Sequence, residues 1–151
     1  MIIEDRIKAF VHLGEYIKKL PEEKFKTLAE RARIENQWFT EENLRMAVSS
    51  ILNFLDEKSL RAWLKRYPPI QRDPKMIALI MAGNIPLVGF HDLLCVLING
   101  DAGLIKASSK DTVLIKAVTD QLIEIDPRFA DRIEYSERIK NFDAVIATGS
   151  D

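Results

Sequence analysis

The stretch Met76-Ile77-Ala78-Leu79-Ile80-Met81-Ala82-Gly83-Asn84-Ile85-Pro86 decides the fold. Its first six residues form an unbroken apolar run of strand length, which reads as a strand buried on both faces. Its end brings in glycine, asparagine and proline, the residues that turn a chain and expose backbone amides. From Leu87 to Asn99 the apolar residues Leu87, Phe90, Leu94 and Leu97 recur at helical spacing. The unit is therefore strand, turn, helix. Gly83 permits a turn that a side chain would obstruct, and Pro86 suits a first helical position, where its missing N–H would have had no partner. Asn84 then sits near a helix start, a location that favours an anion and suits an amide that donates to a developing negative charge. The same position also suits plain helix capping.

Downstream the alternation continues. Ala102 to Ala107 reads as a second strand, Asp111 to Ile125 as a helix, and Ile133-Glu134-Tyr135 and Ala144-Val145-Ile146-Ala147 as two short strands. Buried strands alternating with amphipathic helices predict a parallel sheet of right-handed crossovers, which binds ligands at the carboxyl ends of its strands. Upstream, residues 2–67 carry helical periodicity throughout. Ile3, Ile7, Phe10, Val11, Leu13 and Ile17 mark a first helix, and Phe25, Leu28, Ala29 and Ala32 a second that begins at Pro21. Thr40 is placed to cap a third, carrying Leu44, Ala47, Ile51 and Leu55, and Asp56 a short fourth with Leu60, Trp63 and Leu64. Three prolines between Tyr67 and Pro74 break the pattern. The expected organisation is a helical N-terminal region over 1–67, a proline-rich linker over 68–75, and a partial βαβ nucleotide-binding domain over 76–151. The chain ends on Ala147-Thr148-Gly149-Ser150-Asp151, just after a strand, so we expect a fragment of a longer protein.

The 151 residues, 47% hydrophobic and 30% charged, are enough to bury one substantial core. With 22 basic and 23 acidic side chains and a formal net charge of -1, nothing argues for a nucleic-acid partner or a basic membrane-surface helix. No signal-peptide layout and no apolar run long enough to span a bilayer is present, so a cytoplasmic location is expected. One cysteine, Cys95, and two histidines, His12 and His91, supply neither a disulfide nor a Cys/His zinc site, and no metal is expected.

Two further loops carry candidate ligand groups. Leu104-Ile105-Lys106-Ala107-Ser108-Ser109-Lys110-Asp111 ends a strand with a long cation followed by two serines, suited to phosphate or ribose oxygens. Alternatively Lys106 snorkels to water while Ser109 or Asp111 caps the next helix. In Thr148-Gly149-Ser150, glycine lets a backbone approach a diphosphate, although Gly-Ser is also ordinary turn chemistry. Cys95 lies four residues after His91 on one helix, but the surrounding apolar residues make it a small hydrophobe rather than a nucleophile. Neither Gly-x-Gly-x-x-Gly nor a Walker sequence occurs.

Taken in order, "GNIP", "NGDAGLIKASSKD" and "DAVIATGSD" resemble the aldehyde dehydrogenase superfamily, and within it the acyl-CoA reductase branch, the family of the fatty-acid reductase of bacterial bioluminescence. The resemblance covers residues 76–151. It implies a Rossmann-like sheet of the aldehyde dehydrogenase type and a reaction in which a fatty acyl group passes from coenzyme A to a cysteine and is released as an aldehyde by hydride from NADPH. It assigns Asn84 to the oxyanion hole, Gly83, Ile85 and Pro86 to the nicotinamide side of the cofactor, Lys106 with Ser108 and Ser109 to the adenosine ribose or its 2′-phosphate, and Gly149 and Ser150 to the diphosphate. Many relatives have proline directly after this lysine and glutamate three residues after it; Ala107 and Ser109 stand there instead. The missing carboxylate would have repelled a phosphate, so NADPH is expected to bind at least as well as NADH. The family's nucleophilic cysteine comes well after the glycine-serine loop and has no match in this chain, which is therefore expected to be inactive alone. An acyl-CoA or other acyl thioester is the implied substrate, and a homo-oligomer or an acyl-supplying protein the implied kind of partner. Two rivals remain at this stage: a free-standing nucleotide-binding or regulatory module without catalysis, and a helical protein-interaction module.

Overall fold

A computed structural model describes residues 1–67 and 72–149. Four helices come first: α1 (Ile3–Lys18), α2 (Glu22–Glu35), α3 (Glu41–Phe54) and α4 (Glu57–Leu64). Local chemistry sets two of their starts. The Thr40 hydroxyl accepts from the Asn43 amide, and the Asp56 carboxylate accepts from the Ser59 amide, each satisfying a donor that a helix start leaves free. Pro21 stands just outside α2, at its N-cap, rather than inside its first turn.

The α/β part runs β1 (Met76–Ile80), α5 (Phe90–Asn99), β2 (Ala102–Lys106), α6 (Thr112–Ile125), a 3-10 helix (Pro127–Arg132), β3 (Ile133–Tyr135) and β4 (Ala144–Ala147). The four strands form one sheet in the order β3-β2-β1-β4, parallel at every pairing. The fold is therefore α/β, a helical layer followed by a partial Rossmann-like sheet. After β3 the chain crosses to the opposite side of β1, and that reversal makes β1 and β4 the walls of the crevice where open parallel sheets hold ligands.

Ile77 and Leu79 of β1 and Ile105 of β2 face the helices and join one continuous core with Phe10 and Leu13 of α1 and Leu93 and Leu97 of α5. Phe10 meets Phe129 edge to face at 5.8 Å between centroids, tying the first helix to the segment before β3. Ala78 and Leu104 point to the other face, whose outer positions are open: Ile80 and Val145 are exposed. Among the described residues no helix is long and apolar enough to cross a membrane.

Candidate functional site

Register aligns the three loops. Ile80 pairs with Lys106 on one side and with Ala147 on the other, so the chain leaves all three strands at one level of the same sheet edge. Pairing continues a residue further: the Met81 amide donates to the Lys106 carbonyl at 3.1 Å and the Thr148 amide to the Ile80 carbonyl at 3.0 Å. β1 and β2 thus each end one residue before the predicted boundary, with the ladder fading rather than stopping.

The turn after β1 differs from its sequence reading. Leu87 has a φ of 58°, a left-handed conformation that a right-handed helix cannot propagate through. Successive tight turns, Val88 N–H to the Ile85 carbonyl and Phe90 N–H to the Leu87 carbonyl, bridge the gap. The helix therefore begins at Phe90, Pro86 is not its first residue, and Asn84 stands six positions ahead of it, so Asn84 is no cap. Gly89 occupies the N-cap, where a Cβ would come within 2.5 Å of the Met81 sulfur.

The first and second loops touch. A Cβ on Gly83 would lie 2.3 Å from the Ser108 Oγ and 2.7 Å from its Cβ, so close approach, not an unusual φ, is what requires glycine there. Ser108 Oγ in turn accepts from the Lys110 amide at 3.2 Å. Asn84, Ile85, Lys106, Ser109 and Gly149 are exposed, Ser108 is half-buried, and Gly83 and Pro86 are buried. Gly149 has nothing within 4 Å of where a Cβ would stand. Ser150 lies outside the described residues.

The site's underside is built by residues that the sequence reading passed over, and by Asp111, which it read only as a helix cap. At the end of α2, the Asn36 side chain donates to the Gly83 carbonyl at 2.8 Å and accepts from the Trp38 amide at 3.0 Å. Its neighbour Glu35 accepts from both Thr112 and Val113 amides at 2.9 Å, capping α6 from another helix. Asp111 occupies the N-cap of α6, yet its side chain makes no capping bond; its Oδ2 accepts from the Leu87 amide at 2.7 Å. Burial raises the Asp111 carboxyl to about 7, opposed by that bond and reinforced by the Glu35 charge. Asp92, in the first turn of α5, accepts from the Thr148 hydroxyl at 3.4 Å, linking α5 to the end of β4. Their sequence separations leave no local signal; the nearest hint is that Glu35 and Asn36 close a helix.

Cys95 stands apart. It lines a cavity of about 390 Å³ with Trp63, Tyr67, Arg6 and His91. Its thiol is pushed up by burial and by Asp92, and the His91 Nδ1 is 3.8 Å from the sulfur. Such a thiol is a poor nucleophile at neutral pH.

No curated protein and no solved structure gives a significant match to the chain. One family model does: Acyl-CoA reductase (LuxC) matches residues 8–151, spanning the helical layer, all four strands and the turn that holds Asn84. The chain belongs to the LuxC acyl-CoA reductase family.

Proposed function

We propose that this chain is the N-terminal part of an NADPH-dependent acyl-CoA reductase that converts a fatty acyl thioester to an aldehyde through an acyl-cysteine. The family match carries this reading. The sheet supports its detail, because the three candidate loops all leave the strands beside the crevice between β1 and β4.

The residues present fit a phosphorylated nicotinamide cofactor. Lys106 is exposed, and its ammonium takes part in none of the ion pairs among the described residues. Ser109 puts a hydroxyl where a carboxylate would have repelled a phosphate. Lys106, Ser108 and Ser109 would hold the ribose and its 2′-phosphate, Gly83, Ile85 and Pro86 the nicotinamide side, and Gly149 and Ser150 the diphosphate. When bound, the cofactor supplies hydride. The Asn84 amide would donate to the thioester oxygen as it gains negative charge, an interaction stronger in the transition state than in the substrate. The nucleophilic cysteine lies outside this chain, and Cys95 does not replace it.

Fluorescence titration with NADPH and NADH tests the cofactor reading. Saturable NADPH binding is expected, weakened roughly tenfold by Lys106→Ala, the worth of one charge-assisted contact, with NADH affected less. Failure to bind either nucleotide, or equal NADPH affinity in Lys106→Ala, overturns it.

A further inference from the structure

The turn that presents Asn84 is held in a conformation its own sequence disfavours. Leu87 is buried and left-handed, a conformation that crowds the Cβ of any L residue against its own backbone. Two side chains from elsewhere fasten the turn at its ends: Asn36 at the Gly83 carbonyl and Asp111 at the Leu87 amide. Asp111 is free to do so because Glu35 has taken over the N-terminal amides of α6. The arrangement is costly in a specific way. Asp111 is 4% exposed, and among the described groups its Oδ1 is a buried oxygen with no partner. An aspartate that capped its own helix would leave no such orphan. A charged acceptor makes a stronger bond to an amide than a neutral one, which is what a strained turn needs.

We infer that Asp111 is a positioning residue for the family's reaction, holding through the Leu87 amide the turn that aims Asn84 at the reacting oxygen; this rests on the oxyanion role of Asn84 proposed above. The hold depends on charge. The titratable group whose charge acts on Asp111 is Glu35 on α2; the Asp111 charge in turn acts on Tyr135 of β3. Tyr135 is held neutral, its hydroxyl pushed up to about 12 by burial, so Glu35 is the charge that opposes ionisation. With its carboxyl near 7, Asp111 is divided between a strong and a weak acceptor at neutral pH, and the turn tightens as pH rises.

Amide NMR on this chain tests the inference without nucleotide or turnover. In the native protein the Leu87 amide resonance is expected to shift with pH around a midpoint near 7, and Glu35→Gln, which keeps an acceptor for α6, is expected to lower that midpoint. Asp111→Asn keeps an acceptor for Leu87 and removes the charge: Leu87 should stay protected from hydrogen exchange and cease to titrate. Asp111→Ala should lower Leu87 protection at least tenfold at fixed pH while Ala78 in β1 is unchanged. A Leu87 amide that does not titrate in the native protein, or titrates equally in Asp111→Asn, overturns the inference, and the latter variant decides the matter even if Asp111→Ala folds poorly. Because no ligand is involved, a chain that binds no NADPH but shows this titration refutes the cofactor reading and keeps the hold on the turn, whereas the reverse result refutes the hold alone.

Discussion

Gly83 and Gly149 lie in two loops at one sheet edge and answer to different constraints, which single substitutions separate. A methyl on Gly83 would overlap Ser108 Oγ and Cβ at 2.3 and 2.7 Å; the hydroxyl can rotate away, but the Cβ moves only with its backbone. Gly83→Ala is therefore expected to cost about 1–3 kcal/mol in urea unfolding, and Ser108→Gly in the same chain should recover part of the loss. Equal stability of Gly83→Ala and the native chain would mean the loops are not in contact. A methyl on Gly149 meets nothing, so Gly149→Ala should change stability by less than about 0.5 kcal/mol. If NADPH affinity nonetheless falls, the glycine serves the ligand and not the fold. Cys95 supplies the remaining residue-level prediction. Burial and Asp92 hold its thiol above the ordinary range, so iodoacetamide should modify it more slowly at pH 7.5 than a small free thiol; modification as fast as the free thiol would mean an activated cysteine and reopen its exclusion from the chemistry.

Helix starts divide into those set within the helix and those set from outside it. Thr40 and Asp56 bond to amides three residues on, so residue type and spacing reveal them in the sequence. α6 follows a different rule: its first amides bond to Glu35, 77 and 78 positions away, and no local pattern encodes that. Glu35→Ala is accordingly expected to cost about 1–2 kcal/mol and to increase hydrogen exchange in the first turn of α6, with Glu35→Gln costing less; unchanged exchange there would show that α6 does not depend on α2. The start of α5 illustrates the opposite error. Pro86 carries a strong local preference for a first helical position, but Asp111 holds the Leu87 amide in a left-handed turn and delays the helix to Phe90. Strand identity and strand end were readable from apolar runs and from Gly, Asn and Pro. The groups that fix the turn, Asn36 and Asp111, were not, because each acts across the fold on a backbone atom of another element.

At the scale of the molecule, one core joins the helical layer to the sheet, and two buried carboxylates at opposite sheet edges give it opposing responses to pH. At the edge where β2 begins, burial alone would raise Asp101, but the Arg72 guanidinium, the Lys75 amide and Asn99 hold it below the usual carboxylate range. Arg72 binds it in a fork of two 2.6 Å bonds. A carboxylate lowered on folding contributes stability that is present above its unfolded value and lost as pH falls through the folded one. Asp111, at the edge where β1 ends, is raised on folding to about 7. The unfolded chain ionises it near 3.9, so between those values the folded state binds the extra proton and stability declines as pH rises, levelling off above the folded value. Between pH 5 and pH 8 only the Asp111 contribution of this pair is changing. The Asp111 contribution should therefore fall by about 2–3 kcal/mol over that interval, which for a domain of this size is about 5–10 °C in Tm. Asp111→Asn, unable to ionise, should melt at nearly the same temperature at both pH values and above the native chain at pH 8. A native Tm that does not fall across this interval, or one that falls as much in Asp111→Asn, would place the source of any pH dependence elsewhere. The prediction separates two demands on one side chain: the ionised carboxylate that grips the Leu87 amide hardest is also the form that the surrounding core least tolerates.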